Sequence, residues 1–260
     1  QWFLWELDSG STAYHISGAL RLEGELDVPA LKASFEALVQ RHESLRTVFR
    51  ADGEGFAEQV IQPRGSLDMA VVDLEASPER ERLARQEAQR LTETPFDLTQ
   101  GPLLRVGLIR LAAQEHVLVV VMHHIVSDGW SMQIIVDEFA AQYRARVQGQ
   151  VPELAPLPIQ YADYAVWQRS WLEAGEKERQ LAYWVAQLGD SHPVLQLPAD
   201  QPRRADGRYR AGRHNVELPK ALVQGLQQRA SAEGATLFML LLAGYQALLH
   251  RYSGQEDIRV

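Results

Sequence analysis

The chain has 260 residues, of which 46% are hydrophobic and 23% are charged, and its formal net charge is -8 at pH 7. This composition is typical of a globular protein with enough residues for one large core or two smaller ones. The acidic balance argues against nucleic acid and against anionic membranes as partners. The absence of cysteine excludes disulfides and thiol catalysis, and it fits a reducing, cytoplasmic location.

The first half of the chain predicts strands and helices in irregular alternation. Short or alternating apolar runs predict six strands, at residues 14–22, 45–50, 56–61, 69–74, 103–111 and 116–122. Apolar residues at helical spacing, with proline near two of the starts, predict helices over residues 29–42, 77–92 and 129–147. Hairpins together with helices indicate a mixed sheet covered by helices.

The second half predicts mainly helices, over residues 161–171, 176–188, 220–233 and 236–252. The apolar stretch 237–249 is too short for a membrane span, so the last of these helices is expected to be buried. Residues 193–212 are rich in Pro, Asp, Arg and Gly and indicate a domain boundary. Short strands are expected at 214–218 and from residue 257 onward.

One predicted strand ends in a cluster of titratable residues. The apolar run Leu118–Met122 is typical of a strand buried on both faces, and it is followed by His123, His124, Asp128 and Gly129 before a helix begins. The pattern allows hydrogen-bonded structural histidines, a metal site or acid–base catalysis by one imidazole. Adjacent histidines on a strand point to opposite faces and cannot easily share one ion, so no metal site is expected.

Four stretches, in order, resemble the motifs of condensation domains from nonribosomal peptide synthetases. RHESLRTVF resembles RHExLRTxF, PFDLTQGPLLR resembles PFDLxxGPLLR, MHHIVSDGWS resembles the HHxxxDG signature, and YADYAVWQ resembles YxDYAxWQ. They occupy residues 41–49, 95–105, 122–131 and 161–168. HHxxxDG alone also occurs in related acyltransferases, so the four motifs together carry the resemblance, which covers essentially the whole chain.

The resemblance implies a chloramphenicol-acetyltransferase-like fold of class α/β (α+β), with a partial second lobe of the same type. It predicts an N-terminal lobe at residues 1–175, a connecting helix and linker at 176–212, and the start of a C-terminal lobe at 213–260. The chain opens inside the family's first motif, SxAQxRxWxL, and stops before an Asn-Thr-containing motif. We therefore expect a piece truncated at both ends that is inactive alone and self-associates through apolar surface around 237–249.

The activity implied by the resemblance is amide (peptide) bond formation. The α-amine of an aminoacyl group on a downstream acceptor carrier attacks the thioester of an aminoacyl or peptidyl group on an upstream donor carrier. Both substrates would arrive on the phosphopantetheine arms of peptidyl carrier domains, with an adenylation domain adjacent and no cofactor bound directly. Holding the two tethered reactants together can contribute roughly 7–11 kcal/mol, and proton transfer a further factor of about 10²–10⁴.

Specific roles follow for the motif residues. His124 is the candidate base or hydrogen-bonding positioner, and both roles stay open. His123 is expected to point to the other face and to pack structurally. Asp128 is expected either to orient the imidazole or, as the resemblance favours, to pair with Arg41 or Arg46. Breaking such a buried pair from one side would cost about 3–5 kcal/mol, so Asp128→Asn is expected to lower stability.

Three neighbouring residues are further candidates. Gly129 is expected to allow close approach of a substrate arm or an unusual backbone angle. Trp130 and Ser131 are substrate-tunnel candidates, although core packing is the favoured interpretation for Trp130. An aromatic patch at helical spacing is also expected to pack in the core rather than bind a partner. Its members are Tyr161, Asp163, Tyr164 and Trp167.

Other functions remain open. A noncatalytic recruitment or interaction module of the same fold, an epimerisation domain and a coenzyme A-dependent acyltransferase share parts of the pattern. Noncatalytic relatives tend to lose a motif histidine or change the Asp-Gly pair, and heterocyclisation domains replace the histidines with aspartate. This chain keeps His123, His124, Asp128 and Gly129, which favours the peptide-forming condensation domain.

Overall fold

The structure is a computed structural model and describes residues 1–200, 214 and 216–259. It contains two compact units, Gln1–Ala174 (unit 1) and Gly175–Val260 (unit 2). Much of the predicted linker, residues 201–212, lies outside the described residues. The division into lobes at 1–175, 176–212 and 213–260 therefore stays a prediction.

Unit 1 alternates strands and helices in the order that the apolar patterns predict. Its elements are α1 (Trp2–Leu7), β1 (His15–Glu23), α2 (Val28–Arg41), β2 (Thr47–Ala51), β3 (Ala57–Ile61), β4 (Asp68–Asp73), α3 (Arg80–Glu93), β5 (Leu104–Ala112), β6 (Glu115–His123), α4 (Gly129–Val147) and α5 (Tyr161–Trp171). All six predicted strands are confirmed, with ends that shift by one or two residues. Helix α1 was not predicted.

The main sheet of unit 1 has four strands in the order β1-β6-β5-β4, and β2 and β3 form a separate hairpin. β4 and β5 are parallel, whereas the other pairs are antiparallel, so the sheet is mixed as predicted. Helix α3 covers one face. Gly107 of β5 lies directly under it, because a Cβ at this position would collide with the side chain of Leu91. Glycine here permits close packing of helix on sheet.

Both faces of β5 and β6 are buried, since residues of both parities are inaccessible along these strands. Leu31 and Leu38 of α2 belong to the same core cluster as Leu104 of β5 and Met122 of β6. Fully burying a leucine side chain contributes roughly 1.5–3 kcal/mol. The central strand β6 is therefore fixed from both sides, and its last residue is held in place with it.

Unit 2 contains α6 (Lys177–Leu188), α7 (Lys220–Ala232) and α8 (Leu237–Ser253). Among its described hydrophobic residues, only Ala230 and Leu249 are buried. The prediction that the helix over 236–252 is buried is therefore wrong. Large apolar side chains of α8 are exposed instead, among them Phe238, Met239, Leu241, Tyr245 and Leu248. Apolar surface lies where the sequence predicts it, and self-association remains a prediction.

The two short strands predicted in unit 2 are not formed by the residues that the structure describes there. Residues 216–218 and 257–259 have no regular secondary structure, and residues 215 and 260 lie outside the description. No single described helix is long and apolar enough to cross a membrane. Helices α7 and α8, bent by 102° at their junction, meet that test of length and composition only when taken together.

Candidate active site

The two adjacent histidines at the end of β6 have different environments. His123 is only 3% exposed, and its Nδ1 accepts a hydrogen bond from the backbone N–H of Ile125 at 3.1 Å. The side chain of His124 is exposed, while its backbone N–H donates to the carbonyl of Tyr14 at 2.8 Å. Because successive strand residues point to opposite faces, the buried strand turns one imidazole inward and leaves the other accessible.

Burial keeps the His123 imidazole neutral. Desolvation, and to a smaller extent the nearby His15, His124 and N-terminal amine, lowers the pKa of His123 to about 4. Since its Nδ1 accepts the Ile125 N–H, the neutral ring carries its proton on Nε2. His123 thereby ties the end of β6 to the following loop, in a position that is closed to solvent.

Asp128 is the N-cap of helix α4. Its Oδ1 accepts hydrogen bonds from the backbone N–H of Ser131 at 2.8 Å and from the Ser131 hydroxyl at 2.6 Å. The backbone N–H of Asp128 donates in return to Ser131 Oγ at 3.4 Å, which completes a capping box. The two bonds to Oδ1, with the hydroxyl first, lower the pKa of Asp128, and the positive end of the helix dipole acts in the same direction. The Asp128 carboxylate therefore caps α4 at the point where the loop after His124 ends.

The predicted ion pair between Asp128 and an arginine is not formed. Arg41 Nε lies 3.1 Å from the carboxylate of Glu138 on α4, and Arg46 Nη2 lies 3.2 Å from Glu43. Asp128 is exposed, and its Oδ1 accepts a hydrogen bond from the first turn of its own helix, α4. Arg41 therefore braces α4 through a residue nearly three turns further along the helix, and Asp128 has no buried charge to neutralise.

The segment that begins with Arg41 connects three helices. His42 Nε2 lies 2.7 Å from the same Glu138 carboxylate, which ties the end of α2 to α4. The Gln160 side chain donates to the Arg41 carbonyl at 3.0 Å and accepts from the Glu43 N–H at 3.1 Å. Gln160 also caps α5. The motif at 41–49 thus links the end of α2 to α4 and to the start of α5.

A pocket of about 460 Å³ opens in front of His124. Its volume lies within the usual range for small-molecule sites. Residues from three of the four motifs line it, together with the start of α1; the full set is Gln1, Trp2, Ser44, His124, Ile125, Val126, Ser127, Asp128, Ser131 and Tyr161. Three sequence motifs that are far apart in the chain therefore meet at the exposed imidazole of His124.

Two expectations about this region are wrong, and of the two alternatives for Gly129 one is excluded. Gly129 has no positive φ angle, so it does not supply an unusual backbone angle, although the space in front of it is open. Trp130 is 82% exposed and does not pack in the core. Tyr161, Tyr164 and Trp167 are also exposed, with successive ring centroids 6.0 and 5.6 Å apart. No residue of α5 is buried, so this patch is a row of aromatic side chains on the surface of the helix.

Pattern reasoning missed Trp2 and Ser44 as pocket residues and His15 as a neighbour of His123. Ser44 lies inside the motif at residues 41–49, so that motif could have indicated it. Only the three-dimensional fold brings Trp2 to the pocket. His15 is directly opposite His123 in the β1–β6 register, a pairing that a single sequence does not specify. Within the described ranges no three His, Asp or Glu side chains are grouped to hold a metal ion.

Comparison with known proteins identifies the class. The family model for the condensation domain matches residues 1–260, and the chain belongs to this family. One linear gramicidin synthase protein from Brevibacillus parabrevis is 51% identical over 263 residues, covering 100% of the chain and 5% of that protein. The chain thus spans a small part of the curated relatives it matches.

Solved structures give the same fold. The first condensation domain of the calcium-dependent antibiotic synthetase, in complex with a substrate analogue, has 26% identity and a TM-score of 0.81, covering 99% of this chain and 60% of that one. The X-domain from teicoplanin biosynthesis, in complex with OxyB, has 34% identity and a TM-score of 0.80, covering 97% and 55%. The predicted chloramphenicol-acetyltransferase-like fold of mixed sheet and helices is confirmed.

Proposed function

We propose that this chain supplies the site for peptide-bond formation in a nonribosomal peptide synthetase. The observation that carries the proposal is the exposed imidazole of His124 in a pocket where three motif segments converge. The membership of the condensation-domain family supports the same activity. His123, buried and neutral, supports the loop, and Asp128 with Ser131 fixes its far end.

The reaction needs little from the protein beyond positioning. The neutral α-amine of the acceptor attacks the thioester carbonyl of the donor, a C–N bond forms, the C–S bond breaks, and the thiol of the donor's pantetheine arm leaves. The attacking nitrogen loses one proton and the leaving sulfur gains one. An α-amine has a pKa of about 7.7–8.0, so a sizeable fraction is neutral near pH 7 and a strong base is not required. His124 therefore acts either as the acceptor of that proton or as a hydrogen-bond partner that holds the amine.

The substrates follow from this chemistry. An aminoacyl acceptor and an aminoacyl or peptidyl donor, each on the phosphopantetheine arm of a carrier domain, would meet in front of His124, and an adenylation domain would load the acceptor. The protein would bind no cofactor of its own. The lack of cysteine fits a location in the cytoplasm, where such carriers are loaded.

A recruitment module is the second candidate function. One solved relative, the X-domain from teicoplanin biosynthesis, is described in complex with OxyB, so this fold also serves as a docking surface in that protein. The retained His124 and its open pocket favour catalysis here. A recruitment module would bind its partner equally well after His124 is replaced.

The test is turnover of carrier-bound donor and acceptor by the natural protein that contains this sequence. We expect His124→Ala to reduce amide formation by about 10²–10⁴-fold while leaving thermal unfolding unchanged, because the side chain is exposed. His124→Asn and His124→Gln keep hydrogen-bonding atoms but cannot accept a proton. Activity retained in either variant would identify a positioner, and loss in both would identify a base.

Gln133 on α4, which is also exposed and is not among the residues that line the pocket, provides the matched control. Gln133→Ala should leave turnover unchanged. Near-normal turnover of His124→Ala would contradict the assigned role. Turnover with free coenzyme A thioesters, independent of carriers, would instead indicate the acyltransferase alternative.

A further inference from the structure

One side chain joins two walls of the pocket in front of His124. Gln160, the N-cap of α5, accepts a hydrogen bond from the Glu43 N–H at 3.1 Å through Oε1 and donates to the Arg41 carbonyl at 3.0 Å through Nε2. A backbone N–H can only donate and a carbonyl can only accept, so a single orientation of the amide satisfies both partners. The Gln160 side chain therefore bridges the start of α5 to the segment at 41–49.

The residues next to this bridge line the pocket. Ser44 follows Glu43 in the chain, and Tyr161 follows Gln160. Both Ser44 and Tyr161 line the same cavity as His124. The bridge thus lies one residue away from each of two pocket walls, although the segments that it joins are 117 residues apart in the chain.

The two walls are held in different ways. The segment at 41–49 is anchored in the core, since Leu45 is 4% exposed. Helix α5 buries no residue, so burial contributes little to its position. Within the described part of unit 1, the two Gln160 bonds are the only hydrogen bonds that join α5 and its N-cap to the rest of the unit. The position of Tyr161 in the pocket therefore depends on Gln160.

The main chain of Gln160 makes separate contacts at the start of α5. The Asp163 carboxylate accepts the Gln160 N–H at 2.8 Å, and the Gln160 carbonyl accepts the Asp163 N–H at 3.1 Å. Neither bond uses the Gln160 side chain. A substitution of this side chain therefore removes the bridge and leaves these two bonds in place.

We propose that Gln160 is a positioning residue that fixes Tyr161 relative to Ser44 and thereby sets the width of the pocket where the acceptor group binds. The side chain of the acceptor is attached to the carbon that carries the α-amine, so it lies next to the nitrogen on which His124 acts. His124 is held separately, because it follows the buried strand β6 and its N–H is bonded to Tyr14. Loss of the bridge should therefore weaken acceptor binding and leave the chemical step intact.

This inference rests on the proposed function, so its test has one readout that does not depend on turnover. The first measurement is amide hydrogen exchange of Glu43 in the natural protein that contains this sequence. The second is the separate determination of kcat and KM for the carrier-bound acceptor. Gln160→Met keeps a similar side-chain length without the amide. We expect it to accelerate Glu43 exchange and to raise KM, each by about three- to tenfold, the scale for losing one hydrogen bond, with kcat unchanged.

Gln160→Glu separates the two bonds of the bridge. Its carboxylate can still accept the Glu43 N–H but cannot donate to the Arg41 carbonyl. Glu43 exchange should therefore return toward the wild-type rate, and KM should lie between the values for the wild type and Gln160→Met. Equal acceleration of Glu43 exchange in the Met and Glu variants would overturn the proposed bridge.

Gln168 provides the matched control, because it is another glutamine of α5 and does not line the pocket. Its Nε2 donates within the same helix, to the Tyr164 hydroxyl at 3.0 Å. Gln168→Met should leave both Glu43 exchange and KM unchanged. Equal effects of the two Met variants would show that the whole helix responds, and the specific role of Gln160 would then be wrong.

The remaining outcomes separate this inference from the proposed function. Unaltered Glu43 exchange in Gln160→Met would show that the bridge is not formed in solution. Accelerated exchange with an unchanged KM would show that the bridge does not set the pocket. A fall in kcat without a rise in KM would place the effect on His124 or on folding, and the proposal would be wrong. The proposed function fails in a different way, with normal turnover in His124→Ala.

Discussion

The two units of the molecule contain similar helices but bury them very differently. Helix α2 in unit 1 buries six residues, whereas α8 in unit 2, which is longer and more apolar, buries only Leu249. Unit 1 provides a four-stranded sheet whose faces accept helices, and the described part of unit 2 has no strand. A helix pattern shows which side chains can be buried, but strands from elsewhere in the chain determine whether they are.

The largest effect is expected from removing core volume in unit 1. Leu104 on β5 is 1% exposed, so Leu104→Ala should lower the free energy of unfolding by about 2–5 kcal/mol through lost burial and a residual cavity. Leu241 on α8 is 44% exposed, so Leu241→Ala should change the free energy of unfolding by less than about 0.5 kcal/mol. Urea unfolding of the two variants measures both losses in the free energy of unfolding. The two losses are compared at equal denaturant slopes. Equal losses would show that α8 is buried in solution.

A pH change should also affect the two units differently. The pKa of His123 is lowered from 6.5 to about 4 in the folded chain, so between these values the unfolded chain binds a proton that the folded chain does not. Stability is therefore complete above pH 6.5 and falls as the pH drops towards 4. The loss at pH 5 relative to pH 7 should be about 2 kcal/mol from this group.

The measurement is hydrogen exchange of β6 and α8 amides at pH 7 and pH 5, corrected for intrinsic rates. Protection should fall in β6 and change little in α8. His123→Asn can still accept the Ile125 N–H and has no proton to gain, so it should flatten the dependence. An unchanged slope in this variant would mean that other groups carry the pH dependence.

These two expectations show what the sequence could and could not predict. The strand pattern around Leu118 predicted β6, and alternation along it placed His123 and His124 in opposite environments. The pattern could not predict that Arg41 pairs with Glu138, because ion pairs between helices depend on how the helices dock. For the same reason it could not predict that Trp130 is exposed. The local spacing of apolar residues specifies which faces of a strand or helix are apolar. Long-range packing determines which other elements those faces contact.

A smaller effect is expected at the cap of α4 in unit 1. Asp128→Ala removes the acceptor of two Ser131 hydrogen bonds and should lower the free energy of unfolding by about 0.5–2 kcal/mol. Asp128→Asn should lose little, since asparagine is an equally good N-cap. The arginine pair expected from the sequence predicts a loss of about 3–5 kcal/mol for the same Asn variant. Thermal unfolding of the Ala and Asn variants distinguishes a cap from a buried ion pair.

The smallest global effect is expected from the equivalent cap in unit 2. Thr236 Oγ1 accepts the Met239 N–H at 3.2 Å at the start of α8, so Thr236→Ala removes the same type of bond as Asp128→Ala. The local loss of about 1 kcal/mol should accelerate amide exchange about fivefold in the first turn of α8. Because α8 buries only Leu249, this fraying should not propagate, and the main unfolding transition should shift by less than about 0.5 kcal/mol. A shift as large as that of Asp128→Ala would show that α8 unfolds cooperatively with the core, and the contrast between the units would then be wrong.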